Sequence, residues 1–161
     1  MTTANEPAVA DRETFSVSRT VTIDAPPERV WAALTQEELV SDWFGQRTEL
    51  PDLRVGGEGV LGWTDVPDVQ VRIEEYDPTT AFAFRWGAPV DETMDETNST
   101  VARFTLAVQG DATVLRVVET GFDLVADPAG TLESHQQGWT SELDELVALL
   151  EGALTTDGGR A

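Results

Sequence analysis

The sequence has no cysteine, no lysine and only one histidine in 161 residues. Without cysteine there is no disulfide framework, no thiol nucleophile and no thiolate metal site. A lone histidine, His135, cannot build an ordinary histidine-based metal centre without carboxylates beside it. No apolar run reaches transmembrane length. The first twelve residues are polar and acidic and lack the apolar centre of a signal peptide, so a cytoplasmic protein is expected. There is no G-x-S-x-G, H-E-x-x-H or Walker sequence. No catalytic constellation, metal site or cofactor is therefore expected.

What is abundant is negative charge. Thirty Asp and Glu stand against ten basic residues, all Arg, giving a formal charge of −20. Such a surface repels itself at low ionic strength. At about 1 M salt the Debye length falls to about 3 Å and the repulsion is largely screened. This composition fits a cytosol of molar salt, as in salt-in halophiles; an acidic protein from a GC-rich genome, with Arg replacing Lys for codon reasons, is the alternative. Nucleic acid and anionic membrane both require a basic patch, which no stretch supplies.

The length favours one domain. Residues 1–12 and 155–161 read as disordered tails, and 13–154 as the folded unit. Phe15, Val17, Arg19, Val21 and Ile23 alternate with Ser and Thr, the pattern of a strand. Pro26-Pro27 and Glu28 then suit the start of a short helix carrying Val30, Trp31 and Leu34 inward. Thr35-Gln36-Glu37-Glu38 has the form of a capping box opening a second short helix, which ends near Trp43-Phe44-Gly45. Strands follow over 48–50, 59–64, 69–76, 81–87, 100–108 and 113–120. Val69, Val71 and Ile73 share one strand face; Phe82, Phe84 and Trp86 share another. Leu132, His135, Trp139, Leu143, Leu146 and Leu150 recur at intervals of three and four, the signature of one long amphipathic helix. Gly138 interrupts this helix at a cost of about 1 kcal/mol relative to Ala, so something beside it needs the space. The fold class is α+β: a curved antiparallel sheet whose apolar face is covered by the long C-terminal helix, with two short helices after the first strand.

The run Val21-Thr22-Ile23-Asp24-Ala25-Pro26-Pro27-Glu28-Arg29-Val30-Trp31 resembles the opening of the SRPBCC, or START-like, superfamily. Trp43-Phe44-Gly45 resembles the tryptophan-rich segment of its branch related to the activator of the heat-shock-protein-ninety ATPase; the second position there is often Trp. Gly138-Trp139 with Leu143 and Leu146 resembles that branch's C-terminal helix. The resemblance spans roughly residues 15–152. It implies a helix-grip fold with a space between sheet and long helix that is often used for apolar ligands. The superfamily includes lipid carriers, hormone receptors, cyclases and co-chaperone domains, so fold alone does not fix function.

Gly57-Glu58-Gly59-Val60-Leu61-Gly62 matches G-x-G-x-x-G, but Trp63-Thr64-Asp65-Val66-Pro67 follows where a dinucleotide site needs a helix. Glycines of a turn and a bent strand account for it better. Glu119 shares a strand face with Leu115 and Val117, so it can point inward. Glu75 follows the apolar side of its strand, whereas Glu74 faces water. Arg85 and Arg103 alternate away from Phe84 and Phe104. The expected function is non-catalytic binding of a small apolar or aromatic molecule between sheet and helix. The expected lining is Trp43, Phe44, Trp63, Val71, Phe84, Trp86, Phe104 and Trp139, with Glu119 or His135 as the polar contact. Two alternatives stay open: a co-chaperone-like or stress-response protein-interaction module, with a filled interior, and a cyclase- or hydrolase-like enzyme, which requires His135 and a carboxylate to converge. The chain is expected to act as a monomer or homodimer.

Overall fold

In the computed structural model, residues 5–160 are described, with side chains through residue 152. The alternating run after Phe15 forms β2 (Ser16–Ile23), which places Val17, Val21 and Ile23 in the core. Pro27 opens α1 (Pro27–Thr35), where its missing N–H is no loss. The second short helix, α2 (Glu37–Trp43), begins without the expected capping box. Thr35 is the last residue of α1, and its hydroxyl donates to the Trp31 carbonyl at 2.9 Å. Gln36 occupies the cap position, and the Glu37 carboxylate accepts from the Leu50 backbone N–H at 2.6 Å. Thr35 therefore serves the preceding helix, and no side-chain hydrogen bond caps α2.

The remaining elements are β3 (Arg47–Glu49), β4 (Glu58–Gly62), β5 (Val69–Asp77), β6 (Ala81–Pro89), β7 (Thr100–Gln109), β8 (Ala112–Thr120), a one-turn 3-10 helix (Phe122–Leu124) and the long helix α3 (Pro128–Arg160). A short strand, β1 (Val9–Asp11), precedes them all, and the eight strands form one antiparallel sheet in the order β1-β2-β8-β7-β6-β5-β4-β3. Residues 5–12 therefore do not form the tail read from their composition. Ala8 is buried, its N–H donates to Thr140 Oγ1, and its carbonyl accepts from Gln136 Nε2. The tail expected over 1–4 lies outside the described residues. That expected over 155–161 falls where no side chain is described, although the bounds of α3 run to Arg160.

The inner sheet face carries Val17, Val21, Phe82, Phe84, Ala102, Phe104, Leu115 and Val117, and α3 packs on it through Leu132, Trp139, Leu143, Leu146 and Leu150. Arg19 belongs to the same inward row and is 4 % exposed. It donates to the Glu6, Trp139 and Thr140 carbonyls and pairs with Asp144 at 2.6 Å. One guanidinium thus ties β2, the N-terminal segment and the middle of α3 together, and its five donors suit such a junction. The register of β5 against β6 shifts between Ile73 and Glu75. This bulge turns Glu75 outward to a two-bond pair with Arg103, and puts Tyr76 inward against Trp31 and Phe82. The Arg103 hydrogen bond holds the Glu75 carboxyl below its ordinary range. In β4 a Cβ on Gly59 would collide with the Glu49 carbonyl oxygen, so the glycine permits β3 and β4 to approach.

Candidate functional site

Alternation along β8 sends Thr113, Leu115, Val117 and Glu119 inward, so a carboxylate arrives at the strand's end with no exposed surface. A buried carboxylate is costly unless every lone pair finds a donor. Here the donors come from three elements. Trp86 Nε1–H on β6 donates at 2.9 Å and Thr100 Oγ1 on β7 at 2.5 Å, both to Oε2. Trp139 Nε1–H on α3 donates to Oε1 at 2.7 Å. His135, one turn earlier on α3, sets Nδ1 2.9 and 3.0 Å from the two oxygens. A carboxylate surrounded this way accepts, so Nδ1 carries the proton of the contact. Nε2 bonds to no described group of the chain. Glu119 thereby fixes two tryptophans and one histidine in a single arrangement.

The residues expected to line one cavity divide into two regions. Trp43, Val71, Phe84 and Phe104 lie in the interior, all less than a tenth exposed. With Leu34, Val40, Leu50, Leu61 and Phe82 they surround a void of only about 20 Å³. That is room for little more than one water. Trp43 donates its indole N–H to the Ala33 carbonyl at 2.8 Å, which commits it to holding α1 on α2. Phe104 meets Trp139 edge-on at 5.5 Å and packs beside Phe84 at 5.9 Å. The space between sheet and helix is thus occupied by the chain's own rings.

Phe44, Trp63, Trp86, His135 and Trp139 border a different space, an open cleft of about 190 Å³ at the N-terminal half of α3. Phe44 joins the two regions: it stacks on Trp43 at 5.2 Å and on Trp139 at 5.3 Å, and meets Trp63 edge-on. Trp63 and Trp86 have ring centroids 5.9 Å apart, and Trp86 lies 5.5 Å from the His135 ring. A wider depression of about 500 Å³ continues outward past Trp63, Pro67, Asp68, Val69 and Pro89. Ser134, Gly138 and Glu142 complete the cleft. A Cβ on Gly138 would meet nothing within 4 Å, so the glycine leaves its volume to the cleft.

Ser134, Glu142 and Thr100 are additions to the residues picked from sequence. Glu142 was legible in principle: His135, Gly138, Trp139 and Glu142 are spaced by three, one and three, one continuous stripe of a helix. Glu142 bonds to no described group. Its carboxyl is pushed up to about 7, first by burial and then by the negative charge of Glu145.

A helix-grip sheet with a long C-terminal helix and an aromatic cleft at its mouth defines a START-like domain. The chain belongs to the family described as activator of Hsp90 ATPase homolog 1-like protein, whose model matches residues 24–151. Similar solved structures include protein MLL2253 of Mesorhizobium loti, with 23 % identity, TM-score 0.70 and coverage of 83 % of this chain and 96 % of that one. Protein Ms6760 of Mycobacterium smegmatis is 20 % identical, with TM-score 0.71 and coverage of 91 % and 97 %. The Aha1 dimer of Colwellia psychrerythraea is 15 % identical, with TM-score 0.71 and coverage of 84 % and 96 %. At these identities the likeness concerns the fold. No curated protein sequence matches the chain.

Proposed function

We propose that this chain binds a flat aromatic or apolar small molecule without transforming it, and that the ligand sits in the cleft above Gly138 and not between sheet and helix. The observation that carries this reading is the contrast in free space, about 20 Å³ in the interior against about 190 Å³ in the cleft. The cleft is smaller than the roughly 300 Å³ usual for a drug-sized ligand, so a flat molecule would be partly covered, extending over the depression beside Trp63. Glu119 supports binding by fixing His135 and both indoles in advance, which reduces the ordering cost of association. The test is a titration with a panel of planar aromatics followed by the Gly138 backbone amide and tryptophan fluorescence. Saturable change at Gly138 is expected; no response across the panel overturns the reading.

Two observations favour the alternatives. The filled interior, with Val66, Pro67, Val69 and Pro89 lining the outer depression, supports a protein partner covering this face. The approach of His135 to Glu119 meets the geometric requirement of the enzyme reading. Against the latter, Glu119 already accepts from two indoles and a hydroxyl, the environment of an anchor. The acidic, lysine-free surface supports a working milieu of molar salt. The expected outcome is a Tm that rises from low to molar KCl, and no gain removes that reading.

A further inference from the structure

We propose that the ligand of this cleft is an organic ammonium cation, its flat apolar body lying against Trp63 and Trp86 and its positive charge beside Glu142. The inference rests on the ligand-binding reading above and adds the charge of the ligand. The walls are aromatic apart from Ser134, His135, Gly138 and Glu142, and no Arg among the described residues lines them. An anionic ligand would lack a counter-charge and would face Glu142. The indole N–H groups of Trp86 and Trp139, which could otherwise donate to an anion, are both held by Glu119. What the cleft offers is π-electron density and a carboxylate, Glu142, that bonds to no described group. Cations are attracted to tryptophan rings electrostatically, and more so where water is partly excluded.

The charge pattern around the cleft agrees. Glu145 acts on Glu142 from the same helix and His135 lines the same cleft, while Asp68, paired with Arg47, stands in the adjoining depression and Glu119 is buried against His135. Arg47, the cation of this group, is engaged by Asp68. The chain carries −20 overall, so its field raises the local concentration of cations at low salt. Burial and Glu145 make ionisation of Glu142 unfavourable in the empty cleft. A bound cation favours the ionised form, so affinity for a cation strengthens from about pH 6 to about pH 8, while affinity for a neutral ligand does not strengthen.

Three probes with one two-ring body test this: naphthylmethyl-trimethylammonium, naphthylmethanol and naphthoate. Binding is measured by calorimetry and by the Gly138 amide shift, in low and in molar KCl. The ammonium is expected to bind at least about tenfold more tightly than the alcohol, with naphthoate weakest. Glu142→Gln is expected to erase most of that preference, the fold of the variant being certified by an amide spectrum unchanged away from the cleft. Equal affinity for ammonium and alcohol, or an undiminished preference in Glu142→Gln, overturns the cation inference and leaves the cleft reading standing. If none of the three shifts Gly138, both fall.

Discussion

The interior beneath α3 and the cleft at its mouth are built from the same residue types and joined by the same ring, Phe44, yet they differ in what fills them. In the interior, Phe104 of β7 meets Trp139, Phe44 stacks on Trp43, and almost no void is left. In the cleft, a glycine stands where the helix stripe would otherwise place a side chain. Aromatic content alone therefore does not distinguish a binding wall from a packed core. The distinguishing marks are the missing side chain at Gly138 and the polar groups that would be expensive to hold there without a purpose, Glu142 above and Glu119 below.

Substitutions can sharpen this contrast. Glu119→Ala should have the largest effect, a loss of about 5 kcal/mol in urea unfolding, because it leaves two indole N–H groups and an imidazole without their acceptor. A loss below about 1 kcal/mol would show that the carboxylate is not the anchor of the site. Phe104→Ala should follow, at about 3–4 kcal/mol, through the cavity it opens in a filled interior. Trp63→Ala, in the half-buried cleft wall, should cost under about 2 kcal/mol while abolishing the Gly138 response to aromatic probes. Similar stability losses for Phe104→Ala and Trp63→Ala would erase the distinction between the two regions.

Glu142 provides a subtler test through pH. Its folded-state pKa lies near 7, above the ordinary value of about 4.5. The folded chain therefore holds this proton more tightly than the unfolded one, and the carboxyl withdraws stability as pH rises from about 4.5 through about 7. Glu142→Gln should gain about 1 kcal/mol at pH 8, a full conversion being reduced because the group is half exposed and screened. The gain should vanish below about pH 4.5. A gain independent of pH would contradict the assignment. Smallest of all, Gly138→Ala should stabilise the helix by up to about 1 kcal/mol, since its new Cβ finds open space.

Periodicity made most of this architecture legible. Alternation along β8 put Glu119 inward, and the three-and-four spacing of α3 put His135 and Trp139 on one stripe. Where periodicity is broken by one residue, the sequence misleads: the β5 bulge exchanges the sides of Glu75 and Tyr76, and nothing in the local pattern announces it. Thr35 and Glu38 have the spacing of a local cap, yet the Thr35 hydroxyl is claimed by the Trp31 carbonyl one turn back and α2 starts without a side-chain cap. β1, three residues long, is too short to declare itself; Ala8, just before it, is held by Thr140 and Gln136 from the far end of the chain. Whether aromatic rings touch one another or enclose a space depends on distances no linear pattern encodes, so the filled interior could not be read in advance.

The central claim is that ligand space lies above Gly138 and not under the helix. NMR titration of the labelled protein with naphthylmethyl-trimethylammonium tests it most directly, since Gly138, Ser134 and His135 report from the cleft and the methyls of Val40, Leu50 and Leu61 report from the interior. The account predicts saturable shifts confined to the first group; shifts centred on the second, with Gly138 unmoved, would contradict it.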